Sequence, residues 1–219
     1  MNKKGVKIFA ILLVVLIVAL LFGINIRKAI IISDLNEKVI QQNAKNNIYV
    51  KFQTANINEE IYKKDNIVKT ILEDKENQKK VTKITNGTTR MQYTESATEN
   101  TLSTYEDTTN YGDVISNYVS TNILGVMEKI SFIITSKIST QNEEDKECYV
   151  ISNNNNPNSF KPEGRKDLEV YIEKETGLPI KSIETYDDGQ EIITTYEYAF
   201  DIVTDDDVQP LDNSKFVSE

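Results

Sequence analysis

The stretch that most constrains the fold lies at residues 168–202 and reads LEVYIEKETGLPIKSIETYDDGQEIITTYEYAFDI. It contains three runs rich in β-formers, separated by short turn sequences at residues 175–177 (ETG) and 187–189 (DDG). Apolar side chains recur at every second position in the first and last runs, as in strands with one buried face. The glycine that ends each turn permits a positive φ. The sequence therefore predicts an antiparallel meander that needs a second layer to cover its apolar face.

The chain opens with an apolar segment of a different kind. Residues 8–26 carry no charge, lysines precede them, and Arg27 and Lys28 follow them. A helix of this length rises about 30 Å, which is the thickness of a bilayer core. A cleaved signal peptide would have an apolar region of about 7–15 residues and a small-residue cleavage site, which this segment lacks. We therefore predict that residues 1–28 are an N-terminal tail and a transmembrane signal anchor, with a cleaved signal peptide as the alternative.

The charges beside this segment predict its orientation. The tail before it holds Lys3, Lys4 and Lys7, and short basic tails stay in the cytoplasm while long domains cross largely regardless of their charge. The prediction is a single-pass protein of the cell membrane with a cytoplasmic N-terminus. An extracytoplasmic domain is predicted at 29–212 and a C-terminal tail at 213–219.

The remainder of the chain is strongly acidic. Residues 1–28 hold five of the 25 basic residues and none of the 34 acidic residues, so the rest carries a net charge of −14. An acidic surface repels nucleic acid and anionic lipid headgroups. We therefore expect no nucleic-acid partner, although the charge is explained equally well by solubility alone.

The composition also excludes several kinds of catalytic site. The chain has no histidine and one cysteine, Cys148. Ser-His-Asp and Cys-His catalysis, imidazole zinc sites and an internal disulfide are therefore excluded. Asp201 and residues 205–207 (DDD) could offer oxygen ligands to a divalent cation, but they lack the spacing of an EF-hand loop, and a solvated acidic tail explains them. We predict that the protein is not an enzyme and has no cofactor or metal.

The rest of the sequence changes between a helical period and a strand period. Ile31, Leu35 and Val39 recur at spacing four, which predicts a helix that continues the apolar segment or restarts soon after it. From Ile48 the period is two, and Asn86-Gly87 is the sequence typical of a tight hairpin turn. Further strands are predicted at 60–64, 67–74, 80–85, 88–94 and 100–107.

The middle of the chain predicts a second helix. Apolar residues recur every three or four positions over 112–130, and the runs at 131–140 and 147–152 then return to β-formers. The predicted fold class is α+β. It consists of an N-terminal transmembrane helix followed by one curved antiparallel sheet, a half-barrel of roughly nine or ten strands, with helices packed on its concave face.

The order of elements and the wording of the meander resemble a known superfamily, the LolA-like lipoprotein carriers and the related RseB/MucB-like sensor domains. In that superfamily a strand ends in Thr-Gly-Leu-Pro, and a strand, an Asp-Gly turn and another strand follow. Residues 176–179 and Asp188-Gly189 hold these positions here. Arg90, in TTRMQY, takes a place that arginine often holds on an early strand. The resemblance implies an open, apolar concave face that shelters acyl chains.

The candidates for this apolar concave face are aliphatic and aromatic residues spread over the predicted strands. They are Val50, Phe52, Ile71, Met91, Tyr93, Ile133, Tyr196, Tyr198 and Phe200. A plain packed core remains the alternative for each of them, because such stripes usually fill an interior. Arg90 is the polar candidate, which could pair with an acidic or ester group of a ligand or with a neighbouring strand.

Two functions fit these observations. The first is a membrane-anchored, non-enzymatic domain that binds a membrane lipid or an acylated protein in an apolar concavity. The second uses the same fold as an envelope sensor, regulatory or assembly protein, which contacts another membrane protein and holds no lipid. A cavity of several hundred Å³ would favour the first function, and a filled interior would favour the second.

Overall fold

The computed structural model describes residues 3–106, 113–115, 126–153 and 162–218. These residues form two α-helices, α1 (Lys3–Asn43) and α2 (Val126–Thr135), and one twelve-stranded sheet. Short 3-10 helices lie at Asp206–Val208 and Asn213–Lys215. The strands are β1 (Asn47–Gln53), β2 (Ile57–Lys64), β3 (Ile67–Asp74), β4 (Lys79–Asn86), β5 (Thr89–Glu95), β6 (Asn100–Glu106), β7 (Lys137–Glu143), β8 (Lys146–Ser152), β9 (Arg165–Glu173), β10 (Pro179–Tyr186), β11 (Glu191–Phe200) and β12 (Val217–Ser218).

The sheet consists of two meanders joined along one seam. The first meander is β1 to β6, and the second is β7 to β11. In space the strands follow the order β12-β6-β5-β4-β3-β2-β1-β11-β10-β9-β8-β7. The seam is the antiparallel pair β1–β11, whose register runs from Ile48 opposite Phe200 to Gln53 opposite Thr195. The final strand, β12, pairs in parallel with β6.

The predicted fold class is wrong in its sheet. The predicted sheet has roughly nine or ten antiparallel strands, whereas the described residues form twelve strands, one of them parallel to its neighbour. The parallel strand β12 has only two residues, Val217 and Ser218, and its partner β6 lies more than one hundred residues earlier in the chain. A pairing this short and this remote leaves no periodic pattern in the sequence.

The helix and strand boundaries in the middle of the chain also differ from the prediction. The sequence predicts a strand over 131–140, but α2 continues to Thr135 and β7 begins at Lys137. Phe132 is the reason, because it is buried among residues of α1 and of the sheet, and this packing overrides the β-propensity of the run. Of the helix predicted at 112–130, residues 126–130 are helical and 113–115 are not, while 116–125 lie outside the described residues.

The second half of α1 covers one face of the sheet, here called the inner face. Ile32 and Leu35 pack with Phe132 of α2 against four buried residues of β8 and β9: Ile151, Leu168, Val170 and Ile172. One turn further along, Val39 packs over Ile48 and Val50 of β1. The side chain of Lys28 donates to the carbonyl oxygens of Ile133 and Ile134, at 3.4 and 3.2 Å, and so caps the carboxyl end of α2.

The prediction of a transmembrane anchor is also contradicted. Within the part of the chain that the structure describes, no helix has both the length and the apolar character needed to cross a bilayer. The helix continues without a break to Asn43, which is one of the two alternatives predicted for residues 31–39, and its second half packs on the sheet.

The opposite, outer face of the sheet is covered by the end of the chain. Ile84, Tyr93 and Leu102 are buried there, and Leu211 and Phe216 pack against them. Residues 201–218, here called the C-terminal segment, therefore cover the outer face of the first meander. The apolar side chains of the sheet thus lie on the inner face beneath the helices and on the outer face beneath the C-terminal segment.

Polar contacts fix the C-terminal segment in this position. The side chain of Asn47 on β1 donates to the Val203 carbonyl at 2.8 Å and accepts from the Val203 amide at 2.9 Å. The Tyr93 hydroxyl donates to Oδ1 of Asn213 at 2.9 Å. The segment is therefore an integral layer of the domain.

The turn between β9 and β10 brings the sheet into direct contact with α1. Gly177 has φ +74°, and a Cβ added there would lie 2.7 Å from Cβ of Lys38 and 3.0 Å from the carbonyl oxygen of Leu35. Only a residue without a side chain allows this approach. Gly189, in the next turn, has φ +85° but nothing within 4 Å of such a Cβ.

We predict that Gly177→Ala destabilises the domain much more than Gly189→Ala. Both substitutions force alanine to a positive φ, at about 1–2 kcal/mol, but only the first also pushes α1 away from the turn. Thermal unfolding followed by circular dichroism should show the larger fall in Tm for Gly177→Ala. Equal falls would contradict the close contact between this turn and α1.

We also predict that Phe216 anchors the C-terminal segment. Its ring lies 5.1 Å from that of Tyr93 in an edge-on contact. Phe216→Ala should cost about 2 kcal/mol of unfolding free energy, because it removes most of a packed aromatic side chain. Val217→Ala is the control, since Val217 is 58% exposed. Chemical denaturation should show a loss for the first variant, and equal stability of both variants would contradict the assignment.

Candidate functional site

The helices leave a cavity open on the inner face of the first meander. It has a volume of about 390 Å³ and lies between the sheet and residues 113–115. The lining residues are Phe52, Glu59, Ile61, Val68, Thr70, Lys83, Thr85, Arg90, Asp113, Val114 and Ile115. Apolar side chains and charged side chains both contribute to its wall.

The end of α1 holds the roof of this cavity. The Asn43 side chain donates to the carbonyl of Ile115 at 3.3 Å and accepts from the Ile115 amide at 3.0 Å. Lys63, on β2, donates to the Asn43 carbonyl at 3.0 Å. Val114 and Ile115 are buried by this arrangement and pack with Val39 and its neighbours. The last residue of the helix therefore places an apolar roof over the sheet.

The floor of the cavity changes from apolar to polar across the strands. One cross-strand row on the inner face runs from Val50 through Ile61, Thr70 and Lys83 to Gln92. Residues directly opposite each other in an antiparallel sheet have neighbouring side chains. The apolar side of the cavity is therefore next to the seam, and the polar side lies further out.

A second, smaller cavity continues the first along this polar side. Its volume is about 270 Å³, and its lining residues are Glu59, Thr70, Leu72, Lys79, Val81, Lys83 and Gln92. Glu59, Thr70 and Lys83 line both cavities. We call the two together the inner trough, with an apolar compartment towards the seam and a polar compartment around Lys79 and Lys83.

Two charged residues of the trough, Arg90 and Glu59, are affected by burial and by neighbouring groups. Arg90 is 7% exposed, its Nε donates to the Thr85 hydroxyl at 3.3 Å, and its guanidinium lies 5.7 Å from the centre of the Tyr105 ring. Burial raises the pKa of the Glu59 carboxyl, and the positive charge of Lys83 partly opposes that rise. The trough therefore contains a fixed cation and a carboxylate that protonates more readily than an exposed one.

The structure brings only two of the predicted ligand-binding residues to the trough, Phe52 and Arg90. Val50, Tyr196, Tyr198 and Phe200 belong to the same face but pack in or against the core around the seam, where the Tyr196 hydroxyl lies 2.9 Å from that of Ser182. Their role in binding a ligand stays a prediction.

The other predicted residues lie elsewhere. Ile133 belongs to α2 and packs against the core beneath α1. Ile71, Met91 and Tyr93 lie on the outer face, because the register places Ile71 opposite Thr82, and Thr82 opposite Tyr93. Ile71, Met91 and Tyr93 share no cavity with Phe52, since the sheet separates them from it.

Sequence reasoning missed most of the wall of the trough. Gln92 lies between two apolar residues of its strand and Lys83 is next to Ile84, and polar positions of this kind are ordinarily exposed to solvent. Glu59 and Lys79 have only polar neighbours in the sequence, which likewise predicts exposure. The signal that could have found them is the repeated occurrence of charge at alternate positions in adjacent strands. Reading it requires the register, which only the paired strands provide.

The acidic cluster near the C-terminus has structural roles in the described chain. The Asp207 carboxylate accepts from the backbone amide and the hydroxyl of Thr204, both at 2.7 Å, and these bonds lower its pKa. Asp205 pairs with Lys64 at 2.7 Å. Among the described residues, no group of three or more His, Cys, Asp or Glu side chains could hold a metal ion.

Comparison with known proteins shows similarity at the level of structure. A scan of protein-family models found no match, and a search of curated proteins found none. An uncharacterized conserved protein from Thermus thermophilus matches over 85% of this chain and 98% of its own, with a TM-score of 0.53 and 8% identity.

Two further solved structures carry superfamily names. The complex of MucA and MucB from Pseudomonas aeruginosa matches over 82% of this chain and 60% of that chain, at a TM-score of 0.38 and 12% identity. A LolA superfamily protein from Nitrosomonas europaea matches over 81% and 97%, at 0.30 and 9%. Both TM-scores lie below 0.5, so these two matches carry no conclusion about the fold family or about a ligand.

We predict that Glu59 makes stability depend on pH. Because its pKa is raised in the folded state, the folded protein binds its proton more tightly than the unfolded chain. The contribution of Glu59 to stability is thus lost as the pH rises from the ordinary glutamate range through the raised value. Glu59→Gln should gain Tm over the parent at pH 7, and this gain should shrink towards pH 4.

The control for this measurement is Glu191→Gln, which removes the same charge from an exposed position on β11. Differential scanning calorimetry from pH 4 to pH 7 would compare the three proteins. A gain for Glu59→Gln that does not change with pH would contradict the buried carboxyl.

Proposed function

We propose that the protein is a non-enzymatic binding protein that takes a lipid or the acyl chain of an acylated protein into the inner trough. The observation that carries this proposal is the open cavity of about 390 Å³ between the sheet and its roof. Pockets for small ligands measure about 300–1,000 Å³ and are lined mostly by apolar side chains with a few polar groups.

The position of the cavity supports the same proposal. Over β8 and β9 the inner face is filled by α1 and α2, whose side chains pack directly on these strands. The apolar compartment lies where this cover ends, with Phe52, Ile61 and Val68 in its floor and Ile115 in its roof. An acyl chain placed there would exchange water for aliphatic and aromatic contacts, which is worth about 0.8 kcal/mol for each buried methylene group.

A wall variant would test the proposal. Val68→Trp should fill the apolar compartment and weaken binding at least about ten-fold, because the acyl chain loses the space it occupies. Ile193→Trp is the matched control, since Ile193 is 46% exposed and lies outside the lining residues. Delipidated parent protein and both variants would be titrated with a fluorescent C16 fatty acid, and circular dichroism would check their fold.

We expect saturable binding by the parent and the Ile193→Trp variant, and weak binding by Val68→Trp. If the parent binds no fatty acid, the proposal is overturned, and the alternative becomes a sensor or assembly domain that contacts another protein without lipid. If Val68→Trp binds as well as the parent, the trough is not the site. A location outside the cytoplasm stays a prediction, which protease digestion of intact cells would check.

A further inference from the structure

The inner trough is positively charged although the chain as a whole is acidic. Its two compartments are lined by three cations, Lys79, Lys83 and Arg90, and by two carboxylates, Glu59 and Asp113. The net charge of the lining is thus +1, compared with −9 for the whole chain. A cationic recess in an acidic surface attracts anions in preference to cations.

The cations are not spread evenly along the trough. Lys79 and Lys83 lie on β4 with Val81 between them, and all three side chains line the polar compartment. Their Cα atoms are about 13 Å apart along the strand, so the two side chains line opposite ends of this compartment. Asp74 lies directly opposite Lys79 in the register and adds a carboxylate next to that end. Gln92, directly opposite Lys83, and Thr70, on its other side, add hydrogen-bonding groups to the same space.

The apolar side chains lie at the other end. Phe52, Ile61 and Val68 line the apolar compartment under the roof of Val114 and Ile115. Lys83 and Glu59 belong to both cavities and so mark the boundary between the compartments. The trough therefore has a direction, from an apolar end beside the seam to a cationic end on β4.

We propose that the trough binds an amphiphile with an anionic head group, a carboxylate or a phosphate, in one orientation. The head group lies between Lys79 and Lys83, and the acyl chain extends under the roof towards Phe52. This inference rests on the proposed function and names its ligand class. Ammonium groups form charge-assisted hydrogen bonds with such heads, and these bonds are about twice as strong as neutral ones.

Glu59 makes the proposal testable in two directions. Its carboxylate lies at the boundary, where it repels an anionic head and competes for Lys83. Removing the charge of Lys79 or Lys83 should therefore weaken binding of an anionic ligand, whereas removing the charge of Glu59 should strengthen it. A variant that only disturbed the fold would weaken binding in every case.

The experiment compares four variants of the full chain. Lys79→Gln, Lys83→Gln and Glu59→Gln change the trough, and Lys80→Gln is the control on the same strand. Lys80 points to the outer face, where it pairs with Glu73 at 3.1 Å. Isothermal titration calorimetry would use three single-chain ligands: palmitate with a carboxylate, lysophosphatidic acid with a phosphate, and neutral monopalmitoylglycerol.

We expect the parent to prefer the anionic ligands over monopalmitoylglycerol. Lys79→Gln and Lys83→Gln should each lose about ten-fold in affinity for these ligands, the size expected for one charge-assisted hydrogen bond. They should leave the affinity for monopalmitoylglycerol unchanged. Glu59→Gln should gain affinity for the anionic ligands, and Lys80→Gln should behave as the parent. The comparison of palmitate with lysophosphatidic acid decides which of the two head groups the site takes.

Equal affinity of the parent for all three ligands would overturn this inference and leave the proposed function standing. Equal losses in Lys79→Gln and Lys80→Gln would also overturn it, because the effect would then come from overall charge. If no ligand of the three binds to the parent, the proposed function itself fails, and the inference fails with it.

Discussion

The structure depends on the pairing of β1 with β11. Each meander is built from neighbouring segments of the chain, but this one pair joins strands about 150 residues apart into a single sheet. Ile48 and Val50 of β1 are fully buried at the seam, and Val39 of α1 lies directly over them. The residues that the helix covers come from both meanders, so its complete packing requires the seam.

The placement of the helix then determines where a ligand could enter. α1 passes over the second meander and the seam, and Asn43 at its end holds the roof over β2 and β3. Beyond that point the inner face has no helix above it among the described residues. The C-terminal segment covers the first meander from the outer face instead, since Phe216 and Leu211 pack there. The second meander is thus covered on its inner face and the first meander on its outer face. The part of the inner face that no described helix covers forms the trough.

The first meander has its apolar residues on the outer face and the second has them on the inner face. This difference explains why apolar and charged side chains both line the trough. If the first meander carried its apolar residues on the inner face, a deep apolar concavity would result, as the resemblance to LolA-like proteins implied. Here Tyr93 and Ile84 face outwards, and Lys83 and Arg90 occupy the inner positions. The proposed ligand is therefore one with both an apolar and an anionic part. A trough of this kind gains specificity from the charges, because a wholly apolar ligand would remove water from charged groups without offering them a polar group in exchange.

Local sequence patterns were sufficient to predict the turns and most of the strands. Gly87, Gly177 and Gly189 adopt positive φ as expected, because the conformational preference of glycine acts within a few positions. The hairpin between β4 and β5 turns one residue later than predicted, at Gly87-Thr88, because Asn86 still pairs with Thr89. Phe52 and Arg90, which the sequence predicts as ligand-binding residues, both line the trough. Four features could be read only from the folded chain: residues 131–135 are helical, β12 joins β6, Met91 faces away from Phe52, and Glu59 and Lys83 share a cavity. These features depend on which distant strands pair and in which register, and alternation along one strand cannot reveal the side from which another part of the chain will cover it.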